Sequence, residues 1–99
     1  MKASVLTRIH MKPYGAGGRG APFTEDYCPD FVVSGQSERL QVRAIQCPGP
    51  VAPGEEAEVV FALMYHPQRD YSSLQVGVTF DVMEGPRAIA TGRVLEVRT

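Results

Sequence analysis

Proline and glycine punctuate this chain so often that no stretch between them has room for a capped, 3.6-periodic helix. Pro48-Gly49-Pro50, Pro53-Gly54 and Gly85-Pro86 fall between runs of about ten residues whose side chains alternate. In residues 3–11 Ala3, Val5, Ile9 and Met11 share one face, with Ser4, Arg8 and His10 on the other. Residues 40–47 alternate around Leu40, Val42 and Ala44. Residues 57–65, AEVVFALMY, are apolar on both faces and read as a more deeply buried strand. Residues 73–83 set Leu74, Val76, Val78, Phe80 and Val82 against Gln75, Gly77, Thr79 and Asp81. The last run, 87–97, carries Thr91-Gly92 at its centre, a mark of a bulge or a close backbone approach. EGPR, residues 84–87, reads as a short hairpin and YHPQRDYSS, 65–73, as a longer loop. Five or six short strands with connections too short for crossover helices predict an antiparallel all-β sandwich or small barrel.

Ninety-nine residues allow one domain, residues 1–99. Ten Lys+Arg against eleven Asp+Glu leave a net charge of -1, a balance that calls for neither nucleic acid nor an anionic membrane. No apolar run approaches a membrane span and MKASVLTRIHMK has no signal-peptide core, so the expectation is no membrane partner and a cytosolic location. Cys28 and Cys47 are the only thiols. One disulfide is arithmetically open, and the expectation is two reduced, buried packing residues.

GAGGRG, residues 15–20, has the G-x-G-x-x-G spacing of dinucleotide sites. Those glycines work by opening a helix whose N-terminal N–H groups face a pyrophosphate. Here Pro22 and Pro29 follow closely, no strand–helix–strand unit can be built, and a glycine-rich connection between strands is the reading.

The residues beyond those glycines carry a resemblance. GGRGAPFTEDYCPDF (17–31) is similar to the opening of the C-terminal barrel of bacterial elongation factor Tu, with its Gly-Gly-Arg-His-Thr-Pro-Phe and Tyr-Arg-Pro-Gln-Phe. VAPGEEAEVVFAL resembles that family's Met-Pro-Gly-Asp turn and following strand. LQVGVTFDVMEGPRAIATGRVLEV resembles its closing hairpin, with Phe, Arg-Glu-Gly-Gly-Arg and Gly-x-Gly-Val-Val. The three blocks fit one alignment over nearly the whole chain. The resemblance implies a six-stranded antiparallel closed β-barrel standing alone. The chain has no G-x-x-x-x-G-K-[ST] loop, so no GTP is expected.

In that family the third barrel packs on the GTPase domain, touches the T stem of aminoacyl-tRNA and meets the exchange factor. The resemblance places Glu84 and Gly85 at the turn that approaches the RNA, where a carboxylate accepts from a guanine amino group and glycine admits close backbone. Other positions depart from the pattern. Asp30 stands where the family has a neutral Gln, Cys28 and Met83 where it has Arg, and Pro86 where it has Gly. Phosphate neutralisation supplies much of nucleic-acid affinity, so tRNA binding is expected to be weakened. Cations near Glu84 would have to come from Arg8, Arg87 and Arg93. Arg19 is expected to anchor a carboxylate or carbonyl. Arg19, Asp30, Glu84, Gly85 and Arg87 are therefore the candidate RNA- or partner-binding residues.

Tyr14, Phe23, Tyr27, Tyr65 and Tyr71 lie in or beside loops and offer an interaction surface, while Phe23 and Phe31 are expected to plug barrel ends. His10 and His66 are not spaced with the cysteines as metal ligands. His66, Asp70, Ser72 and Ser73 share one loop, which lacks the rigid scaffold of a catalytic triad. Glu55-Glu56 read as solvated turn residues. The sequence therefore predicts no enzyme, no cofactor and no metal, and a binding module whose partner is a protein or a second copy of the chain.

Overall fold

A computed structural model of the chain describes residues 3–98. It contains strands β1 (Ser4–Met11), β2 (Asp30–Val33), β3 (Leu40–Gln46), β4 (Glu56–Leu63), β5 (Thr79–Glu84) and β6 (Arg87–Arg98). The only helical element among the described residues is a single 3₁₀ turn, Tyr14–Ala16. The strands close into one antiparallel barrel in the order β1-β4-β3-β2-β5-β6.

Alternation along the strands becomes an inside and an outside. Val5, Ile9 and Met11 of β1, Leu40, Val42 and Ala44 of β3, Val59, Phe61 and Leu63 of β4, and Phe80 and Val82 of β5 fill the interior. β4 reads as apolar on both faces because Val60 and Ala62, on its outer face, are buried as well. One polar side chain enters the barrel. Thr7 is fully buried and donates its hydroxyl to the Val59 carbonyl at 2.8 Å. Replacing it by Val removes a buried donor that is already satisfied, and Thr7→Val is expected to cost about 1 kcal/mol in urea denaturation.

Around the barrel, β1 stands opposite β2, and β4 opposite β5. The connections 12–29 and 64–78 must therefore each cross a full barrel diameter. They do so at opposite ends and plug them. Phe23 of the first connection bridges Val51 and stacks on Tyr27 at 4.9 Å. The second inserts Tyr71 and Leu74, both buried, and the Tyr71 hydroxyl donates to the Gln41 carbonyl of β3 at 2.7 Å.

Several expectations need correction. The strand read over 73–83 begins only at Thr79. Before it the chain makes turns closed by Leu74 N–H to Tyr71 O and Val78 N–H to Gln75 O, and Gly77 has φ +89, which leaves Val76 67% exposed. A sixth strand, β2, lies in Asp30–Val33. Phe31 plugs no end. It stacks on Phe80 at 4.0 Å and meets Phe61 edge-on at 4.8 Å inside the barrel. Of the loop aromatics, Phe23 and Tyr71 are buried and Tyr27 half-buried; only Tyr14 and Tyr65 are exposed. Cys28 is exposed rather than buried, and both thiols are free.

The Thr91-Gly92 expectation divides in two. The β6 register slips around Ile89 and Leu95, not at Thr91-Gly92. Gly92 is instead a close approach, sitting opposite both Ile9 and Phe80.

Candidate binding site

The candidate residues converge on one side of the barrel, where β2, the β5–β6 hairpin and the first connection meet. The hairpin turns on Gly85 and Pro86. Gly85 has φ +59 and Pro86 a ring-fixed negative φ, the signs of a type II′ turn that matches strand twist. The turn sets Glu84 opposite Arg87.

Glu84 does not stand free. Arg19 Nε lies 2.8 Å from its carboxylate, and the Tyr27 hydroxyl donates to the same oxygen. The Arg19 guanidinium also lies over the Tyr27 ring, 4.6 Å from its centre, and donates to the Pro22 carbonyl at 3.1 Å. Arg19 is thus an anchor to both a carboxylate and a carbonyl, its side chain only 22% exposed. Asp30 is engaged in the same way, 3.0 Å from Arg39 Nε, while Arg39 Nη2 donates to the Gly85 carbonyl. Four of the five candidates are therefore tied into one network that clamps the first connection and the 34–39 loop to the hairpin. Arg87 is exposed beside it.

Of the cations named for this region, only Arg87 is near. Arg93 lies six residues further along β6, roughly 20 Å at strand rise. Arg8 opposes Arg93 and pairs with Glu58 at 2.9 Å and Glu56 at 3.7 Å on the outer face of β4. Arg19 and Arg39 supply the local positive charge instead, and both are spent on Glu84 and Asp30.

Burial, and then the bond to Glu84, push the Tyr27 phenol far above its ordinary value of 10.0. An unfolded Tyr27 ionises near pH 10 while the folded one keeps its proton. Above that pH the unfolded state binds fewer protons, so stability present below about pH 10 falls as pH rises beyond it. In an ultraviolet titration of the four tyrosines, Tyr27 is expected to ionise last, and Glu84→Gln to bring it down part of the way, since burial alone still raises it above 10.0. A Tyr27 that ionises near pH 10 would show that neither the burial nor the bond is held.

The glycine-rich stretch shapes the same region. Gly17, φ +93, ends the 3₁₀ turn. Gly18 is held by crowding rather than by positive φ, since a Cβ there would run into the Lys12 and Pro13 carbonyl oxygens. The chain then runs to the Phe23–Val51 bridge and no helix follows.

At the other end the sequence offered only a loop. Leu63, Tyr71, Leu74, Val76 and Val97 there line a cleft of about 670 Å³, rimmed by His66, Arg69 and Asp70 among others. The second connection leans toward β2 and β3, where Arg69 donates to the Arg39 carbonyl at 3.1 Å and Tyr71 to Gln41. Of the six exposed large hydrophobic residues described, Val76 and Val97 line this cleft, and Met64 and Tyr65 fall in the chain between its lining residues Leu63 and His66. Asp70 accepts from the Ser72 N–H at 2.8 Å, a local turn, and no hydrogen bond joins it to His66. Among the described residues no cluster of three or more His, Cys, Asp or Glu could hold a metal, and no helix is long and apolar enough to cross a membrane.

Fold and sites together define a small six-stranded antiparallel β-barrel with one clamped side and one apolar end. No family model matches the chain.

Proposed function

We propose that the chain is a non-catalytic binding module, a cytosolic barrel resembling the C-terminal domain of elongation factor Tu, that engages a protein partner. The resemblance in residues 17–31 and 51–97 favours the translation apparatus as the source of that partner. The observation that carries the reading is the gathering of Met64, Tyr65, Val76 and Val97 at one barrel end. Solvent-facing apolar residues that cluster around a concavity mark interaction sites more often than scattered ones do.

RNA recognition through Glu84-Gly85 is the competing reading, and the geometry favours it less. Arg19 and Tyr27 already engage the Glu84 carboxylate through Oε2, and Arg19 and Arg39 are both paired with carboxylates, which leaves Arg87 beside the turn to meet RNA phosphates. Affinity purification of the chain after in-cell cross-linking, with and without ribonuclease, separates the two. A discrete protein cross-linked at a defined position and retained after ribonuclease is the expected result. Loss of all captured material with ribonuclease, or RNA retention reduced by Glu84→Gln, would replace protein binding by RNA binding.

A further inference from the structure

We infer that the cleft at the Leu63–Val97 end receives an uncharged apolar segment of a partner protein, which seats aliphatic or aromatic side chains on Leu74, Val76 and Val97. The inference rests on the protein-binding reading above and names the surface and the chemistry it takes.

The cleft exists because of connectivity. A connection that must span a barrel diameter covers the side it leans on, and here Arg69 and Tyr71 tie it to residues 39 and 41. The wall left beside β4 and β6 is apolar, with Leu63 3% exposed, Leu74 2%, Val97 38% and Val76 67%. Exposure thus rises from floor to rim, the profile of a socket in which an inserted side chain meets buried floor and then buries the rim.

Charge decides against a strongly charged occupant, and most firmly against an anionic one. Arg69 is paired with Glu38 at 3.3 Å. Asp70 is held below its ordinary range by hydrogen bonds from the Ser72 hydroxyl and N–H. Arg69, the one guanidinium on the lining, is thus already paired, while Asp70 is held only by the neutral groups of Ser72. A phosphate backbone or an acidic peptide would find no unpaired guanidinium here and a basic one only the single Asp70 carboxylate, whereas an uncharged segment leaves the Arg69–Glu38 pair undisturbed.

Extent decides against a small molecule. A volume near 670 Å³ lies in the range of ligand pockets, but Met64, 38% exposed, and Tyr65, 48%, stand beside the cleft and not within it. A ligand that filled the cleft would leave both in water. A polypeptide segment covers them as it enters.

The test is selection of random twelve-residue peptides displayed on phage against the immobilised chain, followed by anisotropy of the enriched peptides, labelled, with purified protein. Val76 lies in an exposed turn, so Val76→Glu should keep the wild-type melting temperature, and Asp81→Asn on the outer face of β5 serves as the control. Enriched peptides with at least two large apolar residues and no net charge are expected, binding at least tenfold more weakly to Val76→Glu and equally well to Asp81→Asn. Peptides that bind Val76→Glu undiminished would overturn the cleft while leaving protein binding elsewhere on the barrel standing. Enrichment of strongly charged peptides, or of none, would overturn the cleft's chemistry. A concentration-dependent dimer in sedimentation that Val76→Glu abolishes would make the occupant a second copy and overturn the inference as well.

Discussion

Gly92→Ala is expected to lower the free energy of unfolding by about 2–3 kcal/mol, at the upper end of the range for overpacked cores. A methyl group on Gly92 would come within 2.5 Å of Phe80 Cζ and 2.8 Å of Ile9 Cδ1. Neither neighbour has anywhere to go. The Phe80 ring is stacked on Phe31 at 4.0 Å, and Ile9 is fully buried on β1 across the interior ladder. The strain therefore spreads to β1, β5 and β2 together. For a domain of this size it corresponds to a fall in melting temperature of roughly 10–20 °C. Thermal unfolding followed by circular dichroism checks it, and a loss under about 0.5 kcal/mol would mean that the interior holds free volume beside Gly92.

Phe31→Ala should cost more, about 3–5 kcal/mol. The reason lies in β2 as well as in the ring. β2 is the shortest strand, and its register with β3 is limited to Asp30–Gln41 and Phe31–Leu40. Phe31 bridges that seam from within, stacked on Phe80 of β5 and edge-on to Phe61 of β4. Truncation removes the ring from both partners and leaves a cavity at the joint with the shortest strand register. Natural domains are stable by only about 5–15 kcal/mol, so the variant should be near the limit of folding. Hydrogen exchange should show the damage first at Leu40, Gln41 and Val42. Uniform loss of protection over all six strands at once would show that the β2–β3 seam is no weaker than the rest.

Much of the cylinder was legible because burial on one side leaves a two-residue rhythm. Val5, Ile9 and Met11, and Leu40, Val42 and Ala44, are interior in the structure as their spacing requires. The rhythm misled where it ran on past its strand. Leu74, Val76 and Val78 continue the alternation of Phe80 and Val82, yet Gly77 with φ +89 breaks the backbone there, and Gly77 was the only local warning. β2 went unread for the opposite reason, since Phe31-Val32-Val33 is too short to alternate. At the clamp, Arg19 was legible as an anchor, but its partner was not, because Glu84 lies on the last hairpin. Tyr27 was read only as a loop aromatic of an interaction surface and Arg39 went unassigned, because nothing local marks a hydroxyl or a guanidinium that bonds 57 or 46 residues away. The cleft was hidden in the same way. YHPQRDYSS reads as a polar loop, and the cleft's floor comes from Leu63 and Leu74, which read as ordinary strand residues.

The strand order has a bearing on how the molecule comes into being on the ribosome. β1, β4, β3 and β2 are neighbours and all lie within residues 4–63, so an emerging chain can assemble them first as a curled open sheet. That sheet ends in two bare rims, β1 and β2, each with unpaired N–H and C=O groups of the kind that recruit other chains. The β5–β6 hairpin is made after these four strands, and it is the wedge that joins both rims. Until Thr79–Arg98 has been translated the nascent barrel is a cup with an adhesive lip, and those twenty residues are what close it.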